Sequence, residues 1–572
     1  MDKAKFLQPN RFWLKNYDRH IPADIHYQRT NLVKLFEDTA KKYPNKPFLT
    51  SNEYTFSFEC VSNLVDNLTI SLIRLGLKKG DRVALILPNI PQFVIAYYAI
   101  LKAGGIVVAM NPNYKLSEFQ FLFKDSLPKY VFCLGRHQDI IMDLAGIAEI
   151  NSVITTTIED IPFLVPNEPK EKEETRSKFY DFLKLLKPDN KEYKISYPEL
   201  TPEDPAVFQY SGGTTGIPKA AIGLHKNITA NVIQFRTWCD LKEGKEVVLA
   251  VIPLYHVYGM VLALNIGANI AANVILVEDP RDTDFILEEI EKHSVTFYPG
   301  VPSMYYAINQ NQKVRDGKCD LTSIKACISG SAPLHPQIKE EFERLTGGRL
   351  VEGYGLSEAP TATHCNPLFG KNKADSIGLP LPDVDCRVVD LETGLIDMAI
   401  GEPGELILKG PQVMQGYHNN PAENNLALRD GWLYTGDVVR MDDEGYFFII
   451  DRKKSLIKVG GFQVWPNEIE TVINSHPKVK ESAVGGVPDI EKGEKVIAWI
   501  VRESDQDLDT DEILQWCEKQ LVFYKIPSEI LFVERIPRTG MGKVLRRELI
   551  SEYNKSRGCP KSGQPLFFSH FW

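Results

Sequence analysis

Apolar residues recur at three- and four-residue spacing in NLVKLFEDTAKKY (31–43) and VSNLVDNLTISLIRLGLKKGD (61–81), which predicts amphipathic helices. Short continuous apolar runs alternate with them. RVALILPN (82–89) and GIVVAMNP (105–112), the second preceded by QFVIAYYAILKA, each end on turn-forming Asn or Pro and predict two neighbouring buried strands. Helices alternating with buried strands imply a layered α/β sheet. The alternation breaks at 166–197, a charge-rich stretch with flanking prolines that predicts a solvated excursion with one short helix around Tyr180 to Leu186. It resumes through VILVEDP, VTFYPGVPSMYYAI and IKACISGSAPL. The longest apolar stretch, Met260 to Val277, is interrupted by Asn265, Asn269 and Asn273, so a buried helix followed by a strand is expected there rather than a membrane span.

From about 376 to 450 the texture changes to short β-like runs separated by Gly, Pro and Asp, as in VDCRVVDLETG, GEPGELILKG and YFFIIDRKK. From about 452 a fresh set of alternating elements begins, EIETVINSHP, SAVGGVPD, EKVIAWIVR, DEILQWCEKQL and EILFVERIP. The fold class expected is therefore α/β: layered α/β subdomains and a β-rich subdomain over 1–451, then a small mobile α+β domain over 452–572.

Length and composition narrow the classes. At 572 residues the chain is too long for one core, and 43% hydrophobic with 25% charged residues is ordinary globular composition. The formal charge of −9, from 75 acidic against 66 basic residues, gives no broad reason to bind nucleic acid. Nine scattered cysteines without a Cys-x-x-Cys pair argue against a disulfide scaffold or zinc ribbon and for a reducing compartment. The N-terminus lacks the apolar core of a secretory signal, so a cytoplasmic protein is expected.

The first chemistry-bearing segment is Tyr210-Ser-Gly-Gly-Thr-Thr-Gly-Ile-Pro-Lys219, set between the apolar runs AVFQ and AAIGL. Gly212, Gly213 and Gly216 permit close backbone approach, while Ser211, Thr214, Thr215 and Lys219 add hydroxyls and an ammonium around an anion, a phosphate cradle. It is not the Walker A pattern, because Pro218 stands where that motif has Gly. In VEGYGLSEAP (351–360), glycines flank Tyr354, whose ring suits a flat base, and Glu358 is a hard oxygen ligand beside the Ser357 hydroxyl. Taken alone, SGSAPL (329–334) reads equally as a turn, His256 in PLYHVYG (253–259) as a core histidine, and Lys543 in PRTGMGKVLRREL (537–549) as part of a solvated basic loop.

YSGGTTGIPK resembles the phosphate-binding signature of the adenylate-forming superfamily of acyl-CoA synthetases, luciferases and peptide-synthetase adenylation domains. The other motifs follow in that family's order along almost the whole chain, with GWLYTGD (431–437) and DRKKSLIKVGGFQVWPNEIE (451–470) among them. The resemblance implies Glu352, Gly353, Tyr354 and Gly355, with Gly330, Ser331, Ala332 and Pro333, around adenine. It implies Ser357 near the phosphates and Glu358 with Thr214 on magnesium. Asp437 and Arg452 would hold the ribose, His256 would close the acyl pocket, and Lys543 would bridge carboxylate and α-phosphate during adenylation. Lys454 would be the pivot, and Lys458, Gly460, Gly461 and Gln463 the face presented for thioester formation.

NPNYKLSEFQ, LPLPDVD and KGPQVMQGYHNNP make the similarity greatest to long-chain fatty acid-CoA ligases. The implied reaction joins a fatty acid, ATP and coenzyme A through an acyl-adenylate. Other acids, medium-chain or aryl, or delivery of the adenylate to a carrier protein, are alternatives that the motifs share. Transient membrane contact and a homodimer are compatible with the sequence. Because Lys543 lies on a Gly-flanked loop suited to delivery and withdrawal, Lys543→Ala is expected to suppress acyl-adenylate formation far more than thioester formation from supplied acyl-adenylate. Equal loss in both half-reactions would contradict alternation.

Overall fold

The computed structural model describes residues 11–164, 178–187, 196–211, 218–489, 491–503, 507–538 and 544–557. Gly212, Gly213, Thr214, Thr215, Gly216 and Lys543 fall outside them, as do most of the charge-rich excursion and the aromatic C-terminal tail.

The two apolar runs expected to be neighbours, Arg82–Ile86 and Ile106–Ala109, pair in parallel, with Arg82 opposite Ile106 and Leu85 opposite Ala109. They sit in the middle of a seven-stranded sheet that is parallel until its last pair, the hairpin of Pro205–Ser211 with Lys219–Leu224. The loop closing that hairpin is the glycine- and threonine-rich segment, so the sheet edge delivers both of its ends. The helix Pro91–Lys102 is apolar all round and almost wholly buried, as a helix enclosed between two sheets must be.

A second sheet has nine strands. Its centre is parallel, running through Val247–Ala250, Phe297–Gly300, Ala326–Ser329 and Arg349–Leu356, with antiparallel pairs at both margins. The apolar stretch from 257 onward is buried helix to Asn269, including a π-helical turn at Met260–Asn265, and then the strand Asn273–Leu276. Asn265 lies inside that turn, donates to the Met260 carbonyl and to Tyr97 Oη, and so satisfies polar groups that the wider helix would otherwise strand. Where one helix was expected around 180–186, Phe179–Asp181 instead extends the first sheet in parallel beside Ser152–Thr156, and only Phe182–Leu185 is helical. Asp181 makes the switch, accepting from Lys184 N as the helix cap.

The β-rich subdomain is an antiparallel five-stranded sheet built on Asp385–Val389, Gly404–Lys409, Trp432–Met441 and Phe447–Arg452. A short helix, Lys453–Ser455, leads into another five-stranded sheet, which begins at Ile457–Val459 and has two apolar clusters of its own. The Asn467 amide donates to Asp451 and its side chain to the Ile450 carbonyl, which fixes the first helix of this part against the strand it leaves.

Gly355 shows how tightly the nine-stranded sheet is closed near its end. A Cβ there would come within 1.7 Å of the Thr361 carbonyl oxygen and 2.6 Å of Ala362 Cα, both backbone atoms that cannot swing aside. At Gly146 a Cβ would meet nothing within 4 Å. Gly355→Ala is therefore expected to destabilise the protein by about 1–3 kcal/mol, read as a lower thermal midpoint, while Gly146→Ala leaves the midpoint near that of the parent.

Candidate active site

Three parallel strands of the nine-stranded sheet end side by side, and the site lies beyond their carboxyl ends, where open α/β sheets present loops to ligands. The strand Ala326–Ser329 runs out into Gly330 and Ser331, and Arg349–Leu356 carries Gly353, Tyr354, Gly355 and then Ser357. Both groups line one cavity of about 70 Å³, closed on its other side by His256, Phe235 and Leu262. His256 stands at the start of the short helix Val257–Gly259, with Nδ1 facing the Tyr258 amide at 3.3 Å. Tyr258 braces the floor, its hydroxyl within 3.0 Å of the Gly300 carbonyl and 2.7 Å of the Ile328 carbonyl.

Tyr354 is the buried centre of the cavity. Its hydroxyl donates to Asp437 Oδ2, and burial followed by the Asp437 charge holds its phenol far above the usual range. Asp437, 2% exposed, takes Arg452 Nε on its other oxygen at 2.7 Å. That contact follows from register, because Asp437 and Arg452 are opposite one another on Trp432–Met441 and Phe447–Arg452. The Asp437 charge also raises the Arg452 guanidinium. Sequence motifs fifteen residues and more apart thus meet as one buried acid, one cation and one phenol.

Glu352 precedes the tyrosine by two residues and accepts from the Leu334 amide at 3.5 Å, just after Ala332 and Pro333. The protein packed around it pushes its carboxyl up to about 8, although one edge remains accessible. Glu358 lies farther along the same segment, where Tyr417 Oη donates to its Oε1 at 2.8 Å. Tyr417 also presents its ring to Lys219, whose Nζ is 5.3 Å from the centroid, and Lys219 pairs with Glu423 at 2.5 Å. Ala220 and Ala221 are buried strand residues bridged to the Tyr417 segment.

Tyr417 and Glu423 were not singled out from sequence. Both sit in or beside KGPQVMQGYHNNP, whose physical role is visible only once that segment folds back over the hairpin of the phosphate loop. Lys458, Gly460, Gly461 and Gln463 lie elsewhere: they are exposed on the hairpin of Ile457–Val459 with Phe462–Val464, and among the described residues none of them lines the cavity. Gly460 and Gly461 have positive φ values of 57° and 86°, as the tight hairpin turn requires.

A sequence model for the AMP-binding enzyme family matches residues 36–418, and one for the AMP-binding enzyme C-terminal domain matches 468–543. The chain is 39% identical over 559 residues to a long-chain-fatty-acid–CoA ligase of Bacillus subtilis (strain 168), covering 96% of this chain and 99% of that one. It is 34% identical over 559 residues to a long-chain-fatty-acid–CoA ligase of Escherichia coli O6:H1, covering 95% and 98%. Among solved structures, ATP-bound MatB from Rhodopseudomonas palustris superposes with a TM-score of 0.81 at 28% identity, covering 92% of this chain and 100% of that one.

The raised Glu352 carboxyl has a measurable consequence. Its folded value lies above the ordinary 4.5, so the stability tied to its neutral form is complete below about 4.5 and falls as pH rises through about 8. Glu352→Gln keeps the shape without the charge. Relative to the parent, this variant should gain about 2 kcal/mol of unfolding free energy between pH 5 and pH 8, measured by denaturant titration at each pH; a constant difference would contradict the assignment.

Proposed function

The chain belongs to the AMP-binding enzyme family, and we propose that it is an ATP-dependent long-chain fatty acyl-CoA synthetase working through an acyl-adenylate. The observation that carries this reading is the meeting of buried Tyr354 and Asp437 with Arg452 at one cavity, within a chain similar over nearly its full length to ligases of that name.

In this reading the adenine lies against Tyr354, between Gly330–Pro333 and Glu352–Gly355. The ribose hydroxyls reach Asp437, whose oxygens carry further lone pairs beyond those used by Arg452 and Tyr354. Arg452 pairs with Asp437 and orients it. The phosphates lie over the loop from Ser211 to Gly216, near Lys219 and Ser357. Glu358 fits a hard cation, since Tyr417 fixes one oxygen and thereby aims the carboxylate; Thr214 would be the second contact. Magnesium bound there would offset negative charge on the phosphates as pyrophosphate leaves.

A fatty acid carboxylate attacks the α-phosphorus, forming the mixed anhydride and expelling pyrophosphate, with Lys543 brought to the carboxylate and α-phosphate. His256 borders the acyl side of the cavity and must move for CoA to enter. The CoA thiol then attacks the acyl carbonyl, losing its proton as the thioester forms and AMP leaves. For that step the part from 452 onward turns about Lys454, and Lys458, Gly460, Gly461 and Gln463 come to line the pantetheine path. The exposure of those four residues supports a face that waits for a second arrangement.

Among the described residues no helix is long and apolar enough to cross a membrane. The reading places the enzyme in the cytoplasm, meeting its fatty acid transiently at a membrane surface; one chain holds every residue used, so a homodimer adds nothing the reaction needs. The test is AMP release with CoA across acids from acetate to oleate and aromatic acids, with the Glu358→Ala variant alongside. Long-chain acids should give the highest turnover, and Glu358→Ala should require far more magnesium to support ATP–pyrophosphate exchange. No CoA-dependent turnover with any acid would refute the function, and an unchanged magnesium dependence would refute the role of Glu358.

A further inference from the structure

The buried helix that follows His256 changes its winding in the middle. Val257–Gly259 and Ile266–Asn269 are α-helical, while Met260–Asn265 winds as a π-helix, which fits one residue more into each hydrogen-bonded turn. Both ends are held from outside. Tyr258 reaches the Gly300 and Ile328 carbonyls with its hydroxyl, and a Cβ at Gly259 would come within 2.5 Å of the Pro253 carbonyl oxygen. At the other end the Asn269 side chain accepts from Arg236 Nη1 at 3.2 Å, and a Cβ at Gly267 would overlap Val274 Cγ2. With its ends anchored the helix cannot turn as a whole, so the extra residue sets which side chain of the middle faces the cavity.

Asn265 closes the wide turn. Its amide nitrogen donates to the Met260 carbonyl at 2.8 Å and to Tyr97 Oη at 3.1 Å, and its oxygen accepts from Tyr98 Oη at 3.1 Å. Tyr97 and Tyr98 lie on Pro91–Lys102, and they and Asn265 are almost wholly buried. Buried polar groups persist when they are matched, and these three match one another. No step of the reaction uses them. Their geometric product is the position of Leu262, which closes the cavity together with Phe235 and His256. Its sequence neighbours Val261 and Ala263 are smaller and do not line that cavity.

We infer that Asn265 is a positioning residue that sets acyl specificity: by holding the π-helical turn together with Tyr97 and Tyr98, it places Leu262 as a side chain against which the acyl chain packs. The inference rests on the proposed function, since it takes the side of the cavity bounded by His256, Phe235 and Leu262 as the acyl side. Without the Asn265 bonds the turn relaxes toward α-helical winding. A shift of one residue there is a rotation of about 100°, enough to carry Leu262 off the cavity wall and bring Val261 or Ala263 into its place. Either neighbour is smaller, so the wall recedes and longer chains gain room.

The test compares kcat/KM for stearate and for decanoate in the full chain, with ATP and CoA saturating. The main variant replaces the whole polar cluster at once, Asn265→Leu with Tyr97→Phe and Tyr98→Phe, because removing all partners together leaves no buried hydroxyl unmatched. Its stearate-to-decanoate ratio should rise about tenfold or more, the discrimination that a single methylene contributes in an apolar pocket. Leu262→Ala, which leaves the three bonds intact, should move the ratio in the same direction. Added to Leu262→Ala, the triple replacement should change the ratio by less than about twofold, since both act through one side chain. A merely loosened fold lowers turnover with both acids and leaves the ratio as it was. An unchanged ratio in the triple variant or in Leu262→Ala, or full additivity of the two, therefore overturns the inference. Where the triple variant does not fold, Tyr98→Phe removes only the bond to Asn265 Oδ1 and carries the same test: its ratio should rise about twofold or more, and an unchanged ratio overturns the inference. Turnover of neither acid by the parent overturns the functional reading beneath it.

Discussion

The structure of the site depends on one buried carboxylate. Asp437 is almost sealed from solvent, and its two oxygens are taken by Tyr354 from the nine-stranded sheet and by Arg452 from the last strand before the connector. A buried acid is tolerated only when its charge is matched and its lone pairs are used. Satisfying Asp437 therefore forces the aromatic wall of the cavity, the β-rich sheet and the start of the connector into one arrangement. Each partner is positioned by strand register, which makes the geometry a property of the backbone as much as of the side chains.

A second charged group lies on the far side of Tyr417. Lys219, Glu423 and Glu358 are drawn together by a segment that bridges to Lys219–Leu224. In both groups one partner is nearly buried and the other reaches solvent: Asp437 with the more exposed Arg452, and Lys219 with the more exposed Glu423. The cavity beside these groups has a floor braced by Tyr258 against the ends of two strands, and Phe235, Leu262 and His256 line it as well.

Much of the fold was legible along the chain because burial leaves a periodic trace. RVALILPN and GIVVAMNP became paired strands, the stretch from Met260 became a buried helix and then a strand, and the change of texture after 376 became an antiparallel sheet. Around Tyr180 the local pattern suggested helix alone, but three residues joined a sheet edge, because hydrogen bonds offered by a distant strand outweighed a weak local preference. At Gly355, one of the glycines flanking Tyr354, neighbouring backbone fills the space where a side chain would be, which no local pattern reveals.

The sequence by itself determined the residue types and their spacing: a loop rich in glycine and threonine, a tyrosine between glycines, a glutamate, an aspartate and an arginine, in a chain that matches the AMP-binding enzyme family. Their types and spacing are local properties and survive in a linear string. Only the tertiary structure decided that Asp437 binds both Tyr354 and Arg452, that Tyr417 aims Glu358, and that Glu423 pairs with Lys219. Those pairings join residues up to about two hundred positions apart. They arise from strand register and from the need of each buried charge to find its opposite, and neither is written in the neighbours of any one residue.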